Sequence, residues 1–125
     1  MPIENPEVSG QIVDVAMKVH TALGCGLLEG AYQVCMALAL RNRGLRVEEQ
    51  VPIPIVFEGT RIDVGYRLDL LVERQVVVEL KAVTKVLPIH HAQLLSYLRL
   101  GRFPVGLLMN FHVARMRDGI VRLVN

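Results

Sequence analysis

RLDLLVERQVVVELKAV, residues 67–83, reads as two β-strands joined by a tight connection, yet Asp69, Glu79 and Lys81 interrupt its apolar run. Side chains alternate faces along a strand, so Glu79 and Lys81 point the same way while Val78 and Leu80 face the other side. Asp69 shares its face with Arg67 and Leu71. Directly opposed residues of a hairpin lie on one face, and a three-residue connection of Glu73, Arg74 and Gln75 places Asp69 opposite Glu79. A two-residue connection would place it opposite Val78 instead. The three-residue loop favours glycine at its left-handed position and has none here, but the other register leaves the two acids on different faces.

Two opposed carboxylates repel unless a cation lies between them. A divalent ion answers that need. Mg²⁺ takes oxygen ligands and commonly one or two protein carboxylates, and a water on it can attack a phosphodiester while Lys81 neutralises charge on the phosphate. The plainer reading makes Glu79 and Lys81 a same-face ion pair and Asp69 a solvated edge charge.

Upstream, residues 11–23 carry Ile12, Val15, Ala16, Val19 and Leu23 at helical spacing and stop at Gly24. A second helix is expected from Leu27 to Asn42, with Gly44 as its stop. Val47, Val51, Ile53, Ile55 and Phe57 then alternate as one long strand, which Pro52 and Pro54 confine to an edge or a bulge. Glu58, Gly59 and Thr60 form a turn. Beyond the hairpin, Pro88 suits the start of a helix running to Gly101. PVGLLMNF, residues 104–111, suits a strand covered on both faces, and GIVRLV, residues 119–124, a last short one. The expected order is helix, helix, three strands, helix, two strands: one α/β domain over residues 1–125, its mixed sheet flanked by helices.

The totals agree with one core, since 125 residues can bury about two thirds of the unfolded surface. The hydrophobic fraction is 52% and mean hydropathy +0.39, but no apolar run reaches the roughly 20 residues of a membrane span. Surplus apolar surface on so small a chain points to a homodimer. A net charge of +2 and a pI near 8.7 do not by themselves mark a nucleic-acid binder. Eleven of the 14 basic residues are arginine, suited to phosphate and to surface ion pairs alike. Cys25 and Cys35, with no CxxC and no signal sequence before them, read as reduced thiols of a cytoplasmic protein. His90 and His91 point about 100° apart on a helix and make a poor zinc pair.

An aspartate on one strand followed by E-x-K on the next, flanked by helices, resembles the PD-(D/E)xK nuclease superfamily. The chain is more closely similar to its small group of GxxExxY proteins: Gly26, Glu29 and Tyr32 stand in GLLEGAY, followed in order by EEQ (48–50), RLDLLV, VVVELKAV, HAQLLSYL, VGLLMNF and DGIVRLV. The resemblance covers residues 11–124. It implies a restriction-endonuclease-like core and a Mg²⁺ or Mn²⁺ site formed by Asp69, Glu79 and the carbonyl of Leu80, with Lys81 catalytic. Glu29 matches a helix-borne acid that some branches add to the metal shell. Gln93 and Tyr97 match a Q-x-x-x-Y motif beside the active site, and His90 could reach the same mouth.

Each of these has a structural reading too. Four residues apart on a helix, Gln93 and Tyr97 share a face, but Tyr97 also suits a core position with its hydroxyl satisfied, and Tyr32 suits packing. Glu29 near a helix start favours the macrodipole. Gly24 and Gly26 fit a tight passage between helices. Two functions follow: a metal-dependent nuclease acting on DNA, or a nucleic-acid-binding or accessory module on the same scaffold, either one served by dimerisation or by an unidentified protein partner. A structural oligomer with internally paired charges is the third.

Overall fold

The computed structural model describes residues 6–125, so the first five residues of the expected domain lie outside it. Helix α1 (Pro6–Leu23) starts earlier than the hydrophobic spacing indicated, and α2 (Glu29–Asn42) follows. Five strands come next: β1 (Val47–Pro52), β2 (Ile55–Phe57), β3 (Thr60–Ile62), β4 (Arg67–Val72) and β5 (Val76–Lys81). Helix α3 (Pro88–Gly101), β6 (Val105–Asn110), a 3₁₀ turn (Met116–Gly119) and β7 (Ile120–Val124) complete the chain.

A five-stranded sheet runs in the order β1-β4-β5-β6-β7. Only β5 and β6 are parallel, joined by α3. Its two faces carry separate cores. On one, Leu70, Val72, Val76, Val78, Leu80, Leu107 and Met109 pack against α1 and α2. On the other, Leu68, Leu71, Val77 and Leu108 meet Leu94 and Leu98 of α3. Strand β6 is buried throughout, as its unbroken apolar run required. Gly106 lets α3 sit close, because a Cβ there would lie 3.0 Å from Leu94.

The single long strand expected over residues 47–57 is two. β1 ends at Pro52, as an edge strand lacking that N–H donor can. The amide of Ile53 donates to the carbonyl of Tyr66 at 2.9 Å, and β2 then turns away to pair with β3 in a separate hairpin. Glu58 and Gly59, with φ of 51° and 76°, make its turn. The chain therefore has three strands where one strand and a loop were read.

Candidate active site

The β4–β5 hairpin has the three-residue connection, with Val72 opposite Val76, Leu71 opposite Val77 and Leu70 opposite Val78. Continuing that register sets Asp69 against Glu79. No glycine is used: Glu73 and Arg74 both take left-handed φ, of 52° and 51°. Tertiary contacts offset the cost. Glu73 exchanges hydrogen bonds with Arg46, its amide donating to the carbonyl and its carboxylate accepting from the amide, and Arg74 grips Glu48 with one nitrogen on both oxygens.

Regular pairing stops where the acids begin. The amide of Asp69 donates to Glu79 Oε1 at 3.2 Å, and the amide of Leu80 donates to Asp69 Oδ2 at 2.8 Å. Side-chain oxygens thus stand where ladder carbonyls would have accepted. On the other side of β4, Glu49 pairs with Leu70 and Val51 with Leu68, but Gln50 and Asp69 between them do not pair. Gln50 has φ 51°. The pleat reverses there: Val47 packs in the α1/α2 core and Val51 against the α3 core, and Leu68 and Leu70 also divide between the two. Such irregularities re-aim side chains next to active sites.

Gln50 is a further candidate that the sequence did not single out. Its Nε2 donates to Asp69 Oδ1 at 3.3 Å and to Gln33 Oε1 of α2 at 2.7 Å. Gln33 in turn donates to Glu49, which pairs with Arg41. The only hint was its place in EEQ, with no periodicity to mark it. Asn110 was missed as well. Buried at the end of β6 beside Lys81, it accepts from the amide of Val83 at 3.0 Å and donates to its carbonyl at 2.9 Å, fixing the chain just past Lys81. One polar residue closing an apolar run was its signal.

Glu79 is buried and its pKa is pushed up to about 8, first by desolvation and then by the charge of Asp69, against the amide of Asp69 and the charge of Lys81. Lys81 makes no ion pair or hydrogen bond through its ammonium among the described residues. Its charge still reaches Glu79 on the shared face.

Around this centre, Tyr97 is half-buried, and its hydroxyl pKa is raised by desolvation, then by Glu79, Tyr66 and Asp69. Gln93 is exposed and lines a pocket with Tyr97. His90 caps α3: its Nδ1 accepts from the amide of Leu87 at 3.0 Å, and its own amide donates back to Leu87. Glu29 is the exposed first residue of α2, one turn before Gln33. Among the described residues no three His, Cys, Asp or Glu side chains gather to hold a metal, so Glu29 stands apart from the acid pair.

Tyr32 is packing, with a purpose. Fully buried, it stacks on Phe111 at 4.2 Å, donates to the carbonyl of Gly24 and accepts from the amide of Leu27. It thereby pins the loop that delivers Glu29. Gly24 takes φ 78° in that loop.

The five-stranded mixed sheet flanked by helices is a restriction-endonuclease-like fold, and it sets two carboxylates on neighbouring strands with a lysine on their face. Residues 6–123 match the PD-(D/E)XK nuclease superfamily, and the chain belongs to it. No curated protein and no solved structure matches it.

The donor set fits a divalent cation. Its oxygens are those Mg²⁺ and Mn²⁺ prefer, and burial beside Asp69 holds Glu79 protonated in an arrangement that a double positive charge would ionise.

Proposed function

We propose that this protein is a Mg²⁺- or Mn²⁺-dependent phosphodiesterase acting on DNA. The observation that carries the reading is the contact between Asp69 and Glu79, with Lys81 on the same face and unengaged. Asp69, Glu79 and the carbonyl of Leu80 would hold the ion, with Glu29, which stands apart from that pair, reaching it through water. The ion would supply Lewis acidity toward the phosphate and a more acidic water. The leucine amide fixes Asp69 Oδ2, and Gln50 fixes Oδ1, so the aspartate is oriented before an ion arrives.

Lys81, on the face of the acid pair and close enough for its charge to act on Glu79, would stabilise charge developing on the phosphate. Gln93 orients the substrate or this lysine. Tyr97 and His90 complete the substrate contacts, the latter through the ring nitrogen not used for capping.

Membership of the GxxExxY group belongs to the same proposal, supported by the way Tyr32 and Gly24 set the loop before Glu29. So does a single catalytic domain. A homodimer is supported by Leu28, Val34 and Leu38, which leave apolar side chains exposed along and just before α2. A cytoplasmic location is supported by two unpaired cysteines. No described helix is long and apolar enough to cross a membrane.

Purified protein incubated with single-stranded, duplex and branched DNA and with RNA, in Mg²⁺, Mn²⁺ or EDTA, tests the reading. Cleavage that needs the metal and is lost in Asp69→Ala and Lys81→Ala is expected. Binding without cleavage in any arm would make the protein an accessory module, and neither binding nor cleavage a structural one.

A further inference from the structure

Residues 89, 92, 93, 96, 97 and 100 recur every three or four positions, so they form one stripe of α3. Leu94 and Leu98 do the packing on the sheet. The stripe instead faces a groove with Tyr66, the residue just before β4. One pocket of about 170 Å³ is lined by Tyr66, Gln93, Ser96 and Tyr97. A second, of about 400 Å³, is lined by Ile55, Tyr66, Ser96 and Arg99. Tyr66, Ser96 and Leu100 line both, so the two adjoin as one groove along α3.

Three features of that groove point to one ligand chemistry. Tyr66 is 43% exposed, and its ring lies 5.7 Å from that of Tyr97 at 49°, so Tyr97 braces it on one side and water meets the rest. Ile89 and Leu100 add exposed apolar walls. Arg99, which lines the second pocket, has no ion pair or side-chain hydrogen bond among the described residues, so its guanidinium is available to a ligand there. An aromatic face, apolar walls and a free guanidinium suit unstacked bases followed by a phosphate. A duplex keeps its base faces stacked inside and offers such a groove nothing to stack.

We propose that this groove is a subsite for single-stranded nucleic acid, one base stacking on Tyr66 and a neighbouring phosphate meeting Arg99. It rests on the phosphodiesterase reading for its direction, since Tyr97 links the groove to Asp69 and Glu79, but its binding can be measured without cleavage.

The test is fluorescence anisotropy with labelled oligothymidylate, oligouridylate and a duplex, in Ca²⁺. Single strands should bind more tightly than duplex, and the two homopolymers show whether DNA or RNA is preferred. Tyr66→Ala should weaken single-strand binding about tenfold, while Tyr66→Phe retains it. Arg99→Ala should weaken it as well and flatten its salt dependence by about one phosphate contact. Unchanged melting of Arg99→Ala and Tyr66→Ala guards against misfolding as the cause. Equal single-strand binding by wild type and Tyr66→Ala, a preference for duplex, or no binding at all overturns the proposal. Cleavage dependent on Asp69 but indifferent to Tyr66 would remove the groove alone. Binding dependent on Tyr66 without any cleavage would leave the groove standing and remove the enzymatic reading.

Discussion

The backbone amide of Asp69 donates to the carboxylate of Glu79 across the β4–β5 hairpin, at 3.2 Å, just beyond the last regular pair of Leu70 with Val78. The two acids meet because the hairpin register opposes them, and Glu79 lies buried there against a neighbouring charge. Most of what can be measured follows from that contact.

Glu79 should make the fold less stable as pH rises. The fold keeps its proton up to about pH 8, whereas its ordinary value is 4.5, so between those limits the folded chain holds more protons than the unfolded one. This contribution is complete below the lower limit and is lost as pH rises through the upper. Glu79→Gln mimics the protonated acid and should exceed wild type by about 2–4 kcal/mol at pH 9, with the gap closing near pH 5. Urea melts across that range measure it, and parallel curves would refute the assignment.

Divalent binding should release a proton at neutral pH. Mn²⁺ or Mg²⁺ favours ionised Glu79, so titration calorimetry near pH 6.5 in buffers of different ionisation enthalpy should show proton release that fades above the Glu79 pKa of about 8. Asp69→Ala should abolish the binding heat. Adding EDTA should return the melting temperature of metal-loaded protein to that of the free form.

Gln50 offers a separation of orientation from stability. Its left-handed φ of 51° suits glycine better than glutamine, so Gln50→Gly should leave stability within about 1 kcal/mol of wild type while removing the amide that steadies Asp69. Affinity for Mn²⁺ should drop about tenfold. Unchanged affinity would reduce Gln50 to a structural kink.

Tyr32→Phe keeps the stack on Phe111 and loses both hydroxyl contacts to the loop at Gly24–Leu27. Losing two part-buried hydrogen bonds to an otherwise exposed loop should cost about 1–3 kcal/mol. Chemical denaturation reads the loss, and hydrogen exchange should rise first at Leu27.

Asn110→Ala removes a side chain that closes both a donor and an acceptor of Val83. A destabilisation of about 2–3 kcal/mol is expected, together with faster exchange at the Val83 amide. A merely exposed asparagine would show neither.

Much of this protein was legible in one dimension. The strand period from Leu70 to Lys81, the absence of polar residues from 105 to 109 and the helical spacing of residues 12–23 dictate which faces are buried, because burial follows the intrinsic repeats of strand and helix, whereas the pleat reversal between Leu68 and Leu70 was not readable from them. The pairing of Asp69 with Glu79 was also readable, since hydrophobic alternation fixes register even where the turn residues argue otherwise. What periodicity could not show depends on contacts between residues distant in sequence. The turn at Glu73 and Arg74 stands on Arg46 and Glu48, the strand expected through Phe57 breaks because Ile53 bonds to Tyr66 instead, and Gln50 matters only because Gln33 and Asp69 lie on either side of it. Local repeats specify elements. Where a backbone leaves its regular path and an acid keeps its proton is decided by groups that meet only when the elements pack.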